Sequence, residues 1–213
     1  MRTRREELLD QVIDQLMTSG LNDLSLRQLA EAIGTSHRML IYHFGTKETL
    51  VSDAVQEVRR RERVLFASRE SEQDPKDPTG PLRASFEHNT SPQMAPYFRL
   101  LYEVWGIALV HPERYGRFLD GIITAWVDAF AGVLRRAGFS SRDARVRATL
   151  VLGALRGLQL DLYTTRDRTR VNAAFTALLS MLERELRDPE RLDEPETPKS
   201  RPTAGADTRT EDL

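Results

Sequence analysis

The chain has 213 residues, no cysteine and a formal net charge of −1 at pH 7. This length allows one large domain or a small domain packed on a larger one. The lack of cysteine excludes a disulfide framework and thiolate chemistry, and is typical of a reducing compartment. Acidic residues soon interrupt the basic N-terminus, so no secretory signal peptide is expected. No run of about 18 uncharged apolar residues predicts a membrane span. We therefore expect a cytoplasmic protein.

The net charge conceals an asymmetry near the C-terminus. From Asp188 onward, eight acidic residues stand against four basic ones, which leaves the preceding part of the chain mildly basic. Such a balance permits nucleic-acid binding but does not by itself argue for it. Residues 188–213 are also rich in Pro and Thr without apolar periodicity, and we interpret them as a disordered acidic tail.

The first half of the chain has the apolar periodicity of helices, and no segment shows the alternation of a strand. Residues 8–17 carry apolar side chains at three- and four-residue spacing, and Gly20 is predicted to end this helix. Two short helices follow, near residues 26–33 and 36–44. A longer helix begins at Thr46.

A Pro-rich segment at residues 70–81 is predicted to be a loop. The remaining helices are predicted near residues 82–88, 92–110, 112–138, 141–164 and 167–187. The sequence therefore predicts an all-α fold of about nine helices, three of which fall within the first 45 or so residues.

Residues 25–36 carry the local signals of a helix-turn-helix. Ser25 and Gln28 have the spacing of a capping box. Gly34 lies where a left-handed C-terminal cap is wanted, and Thr35 or Ser36 can begin the next helix. In a helix-turn-helix of this kind the second helix enters the major groove of DNA. Helical bundles that do not bind DNA also contain this pattern.

The second short helix divides into two faces. Leu40 and Phe44, four residues apart, are predicted to pack inward. The other face offers donors, acceptors and an aromatic ring suited to base edges and phosphates: Ser36, His37, Arg38, Tyr42 and His43. Helices of this kind use their N-terminal residues for base edges, so residues 35–38, from Thr35 to Arg38, are the predicted specificity determinants. By itself, His43 is more often a packed, hydrogen-bonded residue than a base contact.

The run Gly34-Thr-Ser-His-Arg-Met-Leu-Ile-Tyr-His-Phe-Gly-Thr-Lys-Glu-Thr-Leu50 resembles the TetR family of bacterial regulators. That family's pattern is Gly-Val-Ser, three variable residues, Leu-Tyr-x-His-Phe and then x-(Ser/Asn)-Lys-Glu-x-Leu. The positions in register are Leu40, His43, Phe44, Lys47, Glu48 and Leu50. The resemblance covers residues 8–50 in sequence and the whole chain in helix number and length.

The resemblance implies that Arg27 and Lys47 contact phosphates. Lys47 lies in the first turn of its helix, against the preference of the helix dipole for anions there, and a phosphate partner explains that placement. One position departs from the family pattern: Ile41 replaces the usual Tyr, which is often a phosphate contact. Tyr42 follows directly, but one residue turns it by about 100° around the helix.

The last two predicted helices favour a homodimer. Residues 145–162 are apolar on nearly all sides, which indicates burial against more than one neighbour, and Gly153, Ala154 and Gly157 permit close approach. The last helix carries an apolar stripe of Val171, Phe175, Leu178, Leu182 and Leu186. A four-helix dimer interface, which the family resemblance also implies, predicts a near-palindromic operator. The alternative is a monomeric core.

Aromatic residues concentrate between positions 97 and 130. Tyr97, Tyr102, Trp105 and Trp126 are the predicted contacts of a small-molecule effector, since helical bundles build apolar pockets from such side chains. The alternative is an ordinary core. The run Arg59-Arg60-Arg61-Glu62-Arg63 is interpreted as a solvated helix face.

Together these features predict a helix-turn-helix DNA-binding domain at residues 1–46, a helical effector-binding and dimerisation domain at 47–187, and the tail at 188–213. The expected function is a homodimeric repressor that leaves double-stranded operator DNA when a small apolar or aromatic effector binds. The alternative is an activator with the same DNA-binding domain, or a small-molecule carrier with a vestigial helix-turn-helix.

An enzyme is not expected from this sequence. It has no thiol, no Gly-rich phosphate loop and no helical metal-ligand spacing, and its four histidines are scattered. We therefore predict no catalytic residue, no cofactor and no metal, and we expect no association with membranes.

Overall fold

A computed structural model describes residues 2–21, 25–71, 74 and 77–187. The predicted tail, residues 72, 73, 75 and 76 of the predicted Pro-rich loop, and the residues just before Ser25 lie outside this range. The two ends of that predicted loop, residues 70–71 and 80–81, are helical instead. The described residues form ten α-helices: α1 Arg4–Ser19, α2 Leu26–Ala32, α3 His37–Phe44, α4 Lys47–Ser71, α5 Gly80–Asn89, α6 Ala95–Val110, α7 Pro112–Leu119, α8 Thr124–Ala137, α9 Ser141–Thr165 and α10 Arg168–Arg187.

The predicted all-α fold is confirmed, and the described residues contain no strand. One helix differs from its prediction, because residues 112–138 form α7 and α8 instead of a single helix. Tyr115 already leaves helical geometry, with φ −117° and ψ 20°, and Gly121 adopts φ 63°. The apolar stripe continues through this break, so periodicity alone joined the two segments.

The buried side chains form two hydrophobic clusters. The first joins α1, α2, α3 and the first half of α4 to α6 and α7, and the second joins α5, α8, α9 and α10. The helix α4 contributes to both, with Leu50, Val51 and Val55 in the first cluster and Phe66 in the second. The N-terminal helices are therefore packed directly on the rest of the molecule, with α4 running along both clusters.

The helix α9 packs against α8 and α10. Its inner positions, among them Ala148, Val151 and Leu155, are buried. In the part of the chain that the structure describes, no helix is long and apolar enough to cross a membrane.

Candidate functional site

The helices α2 and α3 form the predicted helix-turn-helix. The backbone N–H of Gln28 donates to Ser25 Oγ at 3.2 Å and the Ser25 N–H donates to Gln28 Oε1 at 2.9 Å, so the predicted capping box is confirmed. Gly34 turns the chain with φ 68°, a left-handed conformation that favours glycine. Ser36 then caps α3, with its Oγ accepting from the Met39 N–H at 3.2 Å.

The inner face of α3 is fixed by burial and by α1. Leu40 is 0% exposed and Phe44 is 5% exposed, as their spacing predicted. Arg5 of α1 holds the end of α3, because its Nε donates to the His43 carbonyl oxygen at 3.3 Å and its guanidinium lies 4.8 Å from the centre of the Phe44 ring. The orientation of α3 is therefore set by packing and leaves the opposite face free.

Four of the eight predicted DNA contacts belong to α3: His37, Arg38, Tyr42 and His43. Tyr42 is 78% exposed and Ile41 is 41% exposed, so both residues of the altered family motif reach solvent. Among the predicted contacts, Arg27, Ser36, His37, Arg38 and Tyr42 are exposed, whereas Thr35, His43 and Lys47 are half-buried. The structure thus brings these residues to one end of the molecule, on α2, α3 and the start of α4.

The cations of this surface differ in their partners. Arg27 Nε lies 3.2 Å from Glu31 Oε1, and both side chains are largely exposed. An exposed ion pair of this kind is weak, so a phosphate can replace Glu31 as the partner of Arg27. Within the described ranges, Arg38 and Lys47 have no carboxylate within 4 Å. Their charges are therefore available to an anionic partner.

His43 is placed differently from its neighbours. Its Nε2 is buried without a hydrogen-bond partner among the described residues, and its ring meets the Tyr42 ring edge-on at a centroid distance of 4.9 Å. Most buried polar atoms have a partner, so this nitrogen is unusual. The placement favours the packed, structural alternative for His43.

A second candidate site is a small pocket between α4, α6, α8 and α9, with a volume of about 30 Å³. A space of this size holds a water molecule or two. Two of the four predicted effector residues, Tyr97 and Trp126, line it. The other two lie beside it: the Tyr102 hydroxyl donates to the Arg156 carbonyl oxygen at 3.2 Å, and the Arg156 guanidinium lies 4.7 Å from the centre of the Trp105 ring.

The interpretation of residues 59–63 as a solvated helix face is wrong for Arg59. This residue is only 3% exposed and lines the pocket. Its Nη2 donates to the Gly121 carbonyl oxygen at 2.9 Å and its Nη1 to that of Phe118 at 3.4 Å. Arg59 follows Val55 by four residues and precedes Phe66 by seven. Its position on the apolar stripe of α4 was the sequence signal that would have revealed its burial.

Burial changes the acidity of the groups around this pocket. Desolvation lowers the pKa of Arg156 to about 10 and also lowers the pKa of Arg59. The same effect raises the pKa of the Tyr97 hydroxyl, and it raises that of Tyr102 to about 12. Both tyrosines are therefore neutral, and both guanidiniums remain charged, at neutral pH.

The helix α7 joins the pocket to the helix-turn-helix through polar contacts with α4. Asp53 of α4 is 8% exposed and lies 2.5 Å from Arg5 Nη2 and 3.2 Å from Arg117 Nη2. Arg114 pairs with Glu48 near the start of α4. These contacts tie α1, α4 and α7 together between the two candidate sites.

No group of three or more His, Asp or Glu side chains in the described ranges is arranged to hold a metal ion.

Comparison with known proteins agrees with this geometry. Residues 8–54 match the model for bacterial regulatory proteins of the tetR family. The whole fold is similar to that of a transcriptional regulator from Rhodococcus sp. Rha1, with a TM-score of 0.69, 19% identity, and coverage of 84% of this chain and 96% of that chain. No curated protein matches this chain.

Two further solved structures share the fold. BioQ, solved with its double-stranded DNA operator, has a TM-score of 0.56 at 19% identity, over 85% of this chain and 98% of that chain. The multidrug binding protein EbrR, solved with imidazole, has a TM-score of 0.61 at 21% identity, over 82% of this chain and 89% of that chain. At these identities the likeness extends to the fold alone.

Proposed function

We propose that this chain, whose residues 8–54 match the model for bacterial regulatory proteins of the tetR family, is a DNA-binding transcriptional regulator that acts as a homodimeric repressor. Its operator is a near-palindrome, and the repressor leaves this DNA when a small aromatic or apolar effector binds. In this proposal residues 1–46 form the DNA-binding domain, residues 47–187 form the effector-binding and dimerisation domain, and the protein acts in the cytoplasm.

The proposal for DNA recognition rests on the outer face of α3. Leu40 and Phe44 hold the helix from inside, and Arg38 and Tyr42 extend from the opposite side into solvent. The guanidinium of Arg38, near the N-terminal end of α3, has the fork geometry that recognises guanine in the major groove. Lys47 and Arg27 flank α3 and supply charge for phosphates.

The outer faces of α9 and α10 support dimerisation. Leu150 is 63% exposed and Leu160 is 54% exposed. Between them, a Cβ added at Gly153 or Gly157 would contact no atom within 4 Å, so this part of the α9 surface is open. The exposed positions of α10 include Ala173, Ala174, Ala177 and Met181, which alternate with polar residues such as Asn172 and Thr176. A surface of this kind permits close packing against a second copy.

The pocket beside α4 supports the effector proposal. Tyr97, Phe98, Trp126 and Phe130 line it, and α4 continues from there to Lys47 in the proposed DNA surface. A ligand that changes the position of α4 therefore changes the position of the DNA-binding helices and biases the dimer towards a released state. BioQ bound to its operator and EbrR bound to imidazole are precedents on this fold for the two kinds of ligand.

The decisive experiment is footprinting with the purified full chain on the DNA that flanks its own gene. We expect protection of a near-palindromic site. Arg38→Ala should weaken specific binding far more than non-specific binding, because it removes a base contact, whereas Lys47→Ala should weaken both alike, because it removes a phosphate contact.

Absence of any sequence-specific protection would contradict the proposal. If Arg38→Ala weakened specific and non-specific binding alike, as expected for Lys47→Ala, the base-reading role given to Arg38 would be contradicted. A reporter assay in a deletion strain separates a repressor from an activator with the same DNA-binding surface, because the two change expression in opposite directions.

A further inference from the structure

We propose that the effector is an organic acid, in which a carboxylate binds between Arg59 and Arg156 and an aromatic or apolar body fills the pocket beside them. This inference rests on the proposed function, since it names the chemical class of the effector.

The argument begins with two guanidinium groups that have no acidic partner. Arg59 is 3% exposed, and its Nε is buried without any hydrogen-bond partner in the part of the chain that the structure describes. Arg156 lines the same pocket and is half-buried. No carboxylate oxygen of a described residue lies within 4 Å of either guanidinium. Arginine is almost never fully buried unless it is paired.

The present hydrogen-bond acceptors of the two arginines are main-chain carbonyls. Arg59 donates to Phe118 and Gly121, and Arg156 Nη2 donates to the Ile122 carbonyl oxygen at 2.9 Å. Both side chains therefore converge on the segment that connects α7 to α8. Carbonyl dipoles satisfy some of the N–H groups but leave two positive charges on one side of the pocket.

The acidic residue in the lining of this pocket already has a partner on α5. Glu62 is the one carboxylate among the described residues that line the pocket, and its Oε2 lies 2.7 Å from His88 Nε2. That contact directs Glu62 towards α5 and away from the two arginines. The positive charge of Arg59 and Arg156 is thus available to a ligand.

The other residues that line the pocket determine the chemistry of the uncharged part of the ligand. Tyr97, Phe98, Trp126 and Phe130 present aromatic surface, which suits an apolar or aromatic body. Gln159 is fully buried, with its Nε2 donating to the Asn89 carbonyl oxygen at 3.1 Å and its Oε1 accepting from Tyr102. This amide is fixed by its neighbours, so the arginines are the groups that recognise the polar end.

Arginine suits a carboxylate because its planar fork can form two parallel hydrogen bonds with the two oxygens. Arg59 belongs to α4, and the pocket is too small at about 30 Å³ to accept such a ligand without movement of its walls. Binding of an acid therefore acts directly on the helix that begins at Lys47. The same contact gives both recognition and a route to the DNA surface.

The test compares carboxylic acids with their neutral amides on the full chain. The probes are benzoate, phenylacetate and octanoate against benzamide, phenylacetamide and octanamide. Binding is read by thermal shift and by the fluorescence of Trp105 and Trp126, the two tryptophans of the chain. We expect at least one acid to bind about tenfold or more tightly than its amide, because the amide has no charge for the arginines.

Arg156→Gln should remove this preference for the acid. The matched control is Arg60→Gln, because Arg60 is exposed and pairs with Glu57 on the same helix. Arg59→Gln should behave like Arg156→Gln, and circular dichroism decides whether each variant is folded. If Arg59→Gln does not fold, Arg156→Gln alone carries the test.

Three results would overturn the inference: no acid of the panel binds, the amides bind as tightly as the acids, or folded Arg156→Gln keeps the preference. Footprinting on the same preparation separates this from the proposed function. Intact operator binding without acid preference contradicts only the effector class. A preference for the acid without any specific DNA binding contradicts the proposed function as a DNA-binding regulator.

Discussion

Ser36 combines two roles that the sequence presented separately. Its hydroxyl caps α3 by accepting from the Met39 N–H, yet the residue is exposed on the proposed DNA surface. A hydroxyl that accepts from the backbone retains its own hydrogen for donation to a phosphate or a base. The two roles are compatible, and substitutions can separate them.

We expect Ser36→Ala to lower the free energy of unfolding by about 1 kcal/mol, because the cap is lost. Ser36→Asp should keep wild-type stability, since aspartate caps as well as serine and its charge suits a helix N-terminus. The aspartate should nevertheless abolish operator binding by repelling phosphates. Chemical denaturation and gel shift measure the two effects. Wild-type DNA affinity in folded Ser36→Asp would mean that this residue faces away from DNA.

At the level of residues, the features that depend on near neighbours in the sequence could be predicted, and those that depend on distant helices could not. The cap at Ser25 and the inward positions Leu40 and Phe44 depend on neighbours within four residues, so spacing was sufficient to predict them. The burial of Arg59 depends on α7, about sixty positions further along the chain. The sequence placed Arg59 on the apolar stripe of α4, but its type and its basic neighbours favoured a solvated face.

At the level of elements, the polar contacts between α4 and α7 differ from the surface ion pairs elsewhere. Asp53 is buried between the guanidiniums of Arg5 and Arg117, so one carboxylate joins three helices. Its removal leaves both arginines without their shared partner. An exposed ion pair, by comparison, contributes little.

We expect Asp53→Asn to lower the free energy of unfolding by about 1–3 kcal/mol, because charged hydrogen bonds at a buried carboxylate are lost. The matched control is Asp128→Asn, whose partner Arg145 lies 2.5 Å away but where both side chains are more than half exposed. Its effect should be within about 0.5 kcal/mol. Urea denaturation of both variants measures the difference, and equal losses would contradict a structural role for the three-helix contact.

The break between α7 and α8 shows why element boundaries were harder to predict than element type. The helical periodicity of residues 112–138 is real, since Phe118, Ile122 and Phe130 are all buried. The break places the carbonyls of residues 118–122 within reach of Arg59 and Arg156. It is stabilised by side chains from distant helices, which a local pattern does not report.

At the level of the whole molecule, the stripe of exposed leucines on α9 is the feature that a single copy does not explain. The sequence predicted a helix buried on two sides, and in the monomer α9 packs on one side against α8 and α10. Leu150 and Leu160 extend from the opposite side. The homodimer remains a prediction, which this surface supports.

We expect the double change Leu150→Glu and Leu160→Glu to give a folded monomer that no longer protects a palindromic site, because charged side chains in an apolar interface are costly. Sedimentation velocity measures the oligomeric state. The control is Leu109→Glu on α6, where the side chain is 69% exposed but lies outside the proposed interface. A dimer that persists in the double variant would exclude this surface as the interface.

The length of α4 has a consequence for how far a small movement is transmitted. At a rise of about 1.5 Å per residue, Lys47 lies about 18 Å along the helix from Arg59. If α4 pivots as a rigid lever about Arg59, a tilt of about 5° displaces Lys47 by about 1.6 Å. In a two-fold dimer, displacements along the line that joins the two copies of Lys47 add to about 3 Å, which approaches the 3.4 Å step between base pairs. Geometry alone therefore amplifies a slight adjustment in the pocket into a mismatch with the operator.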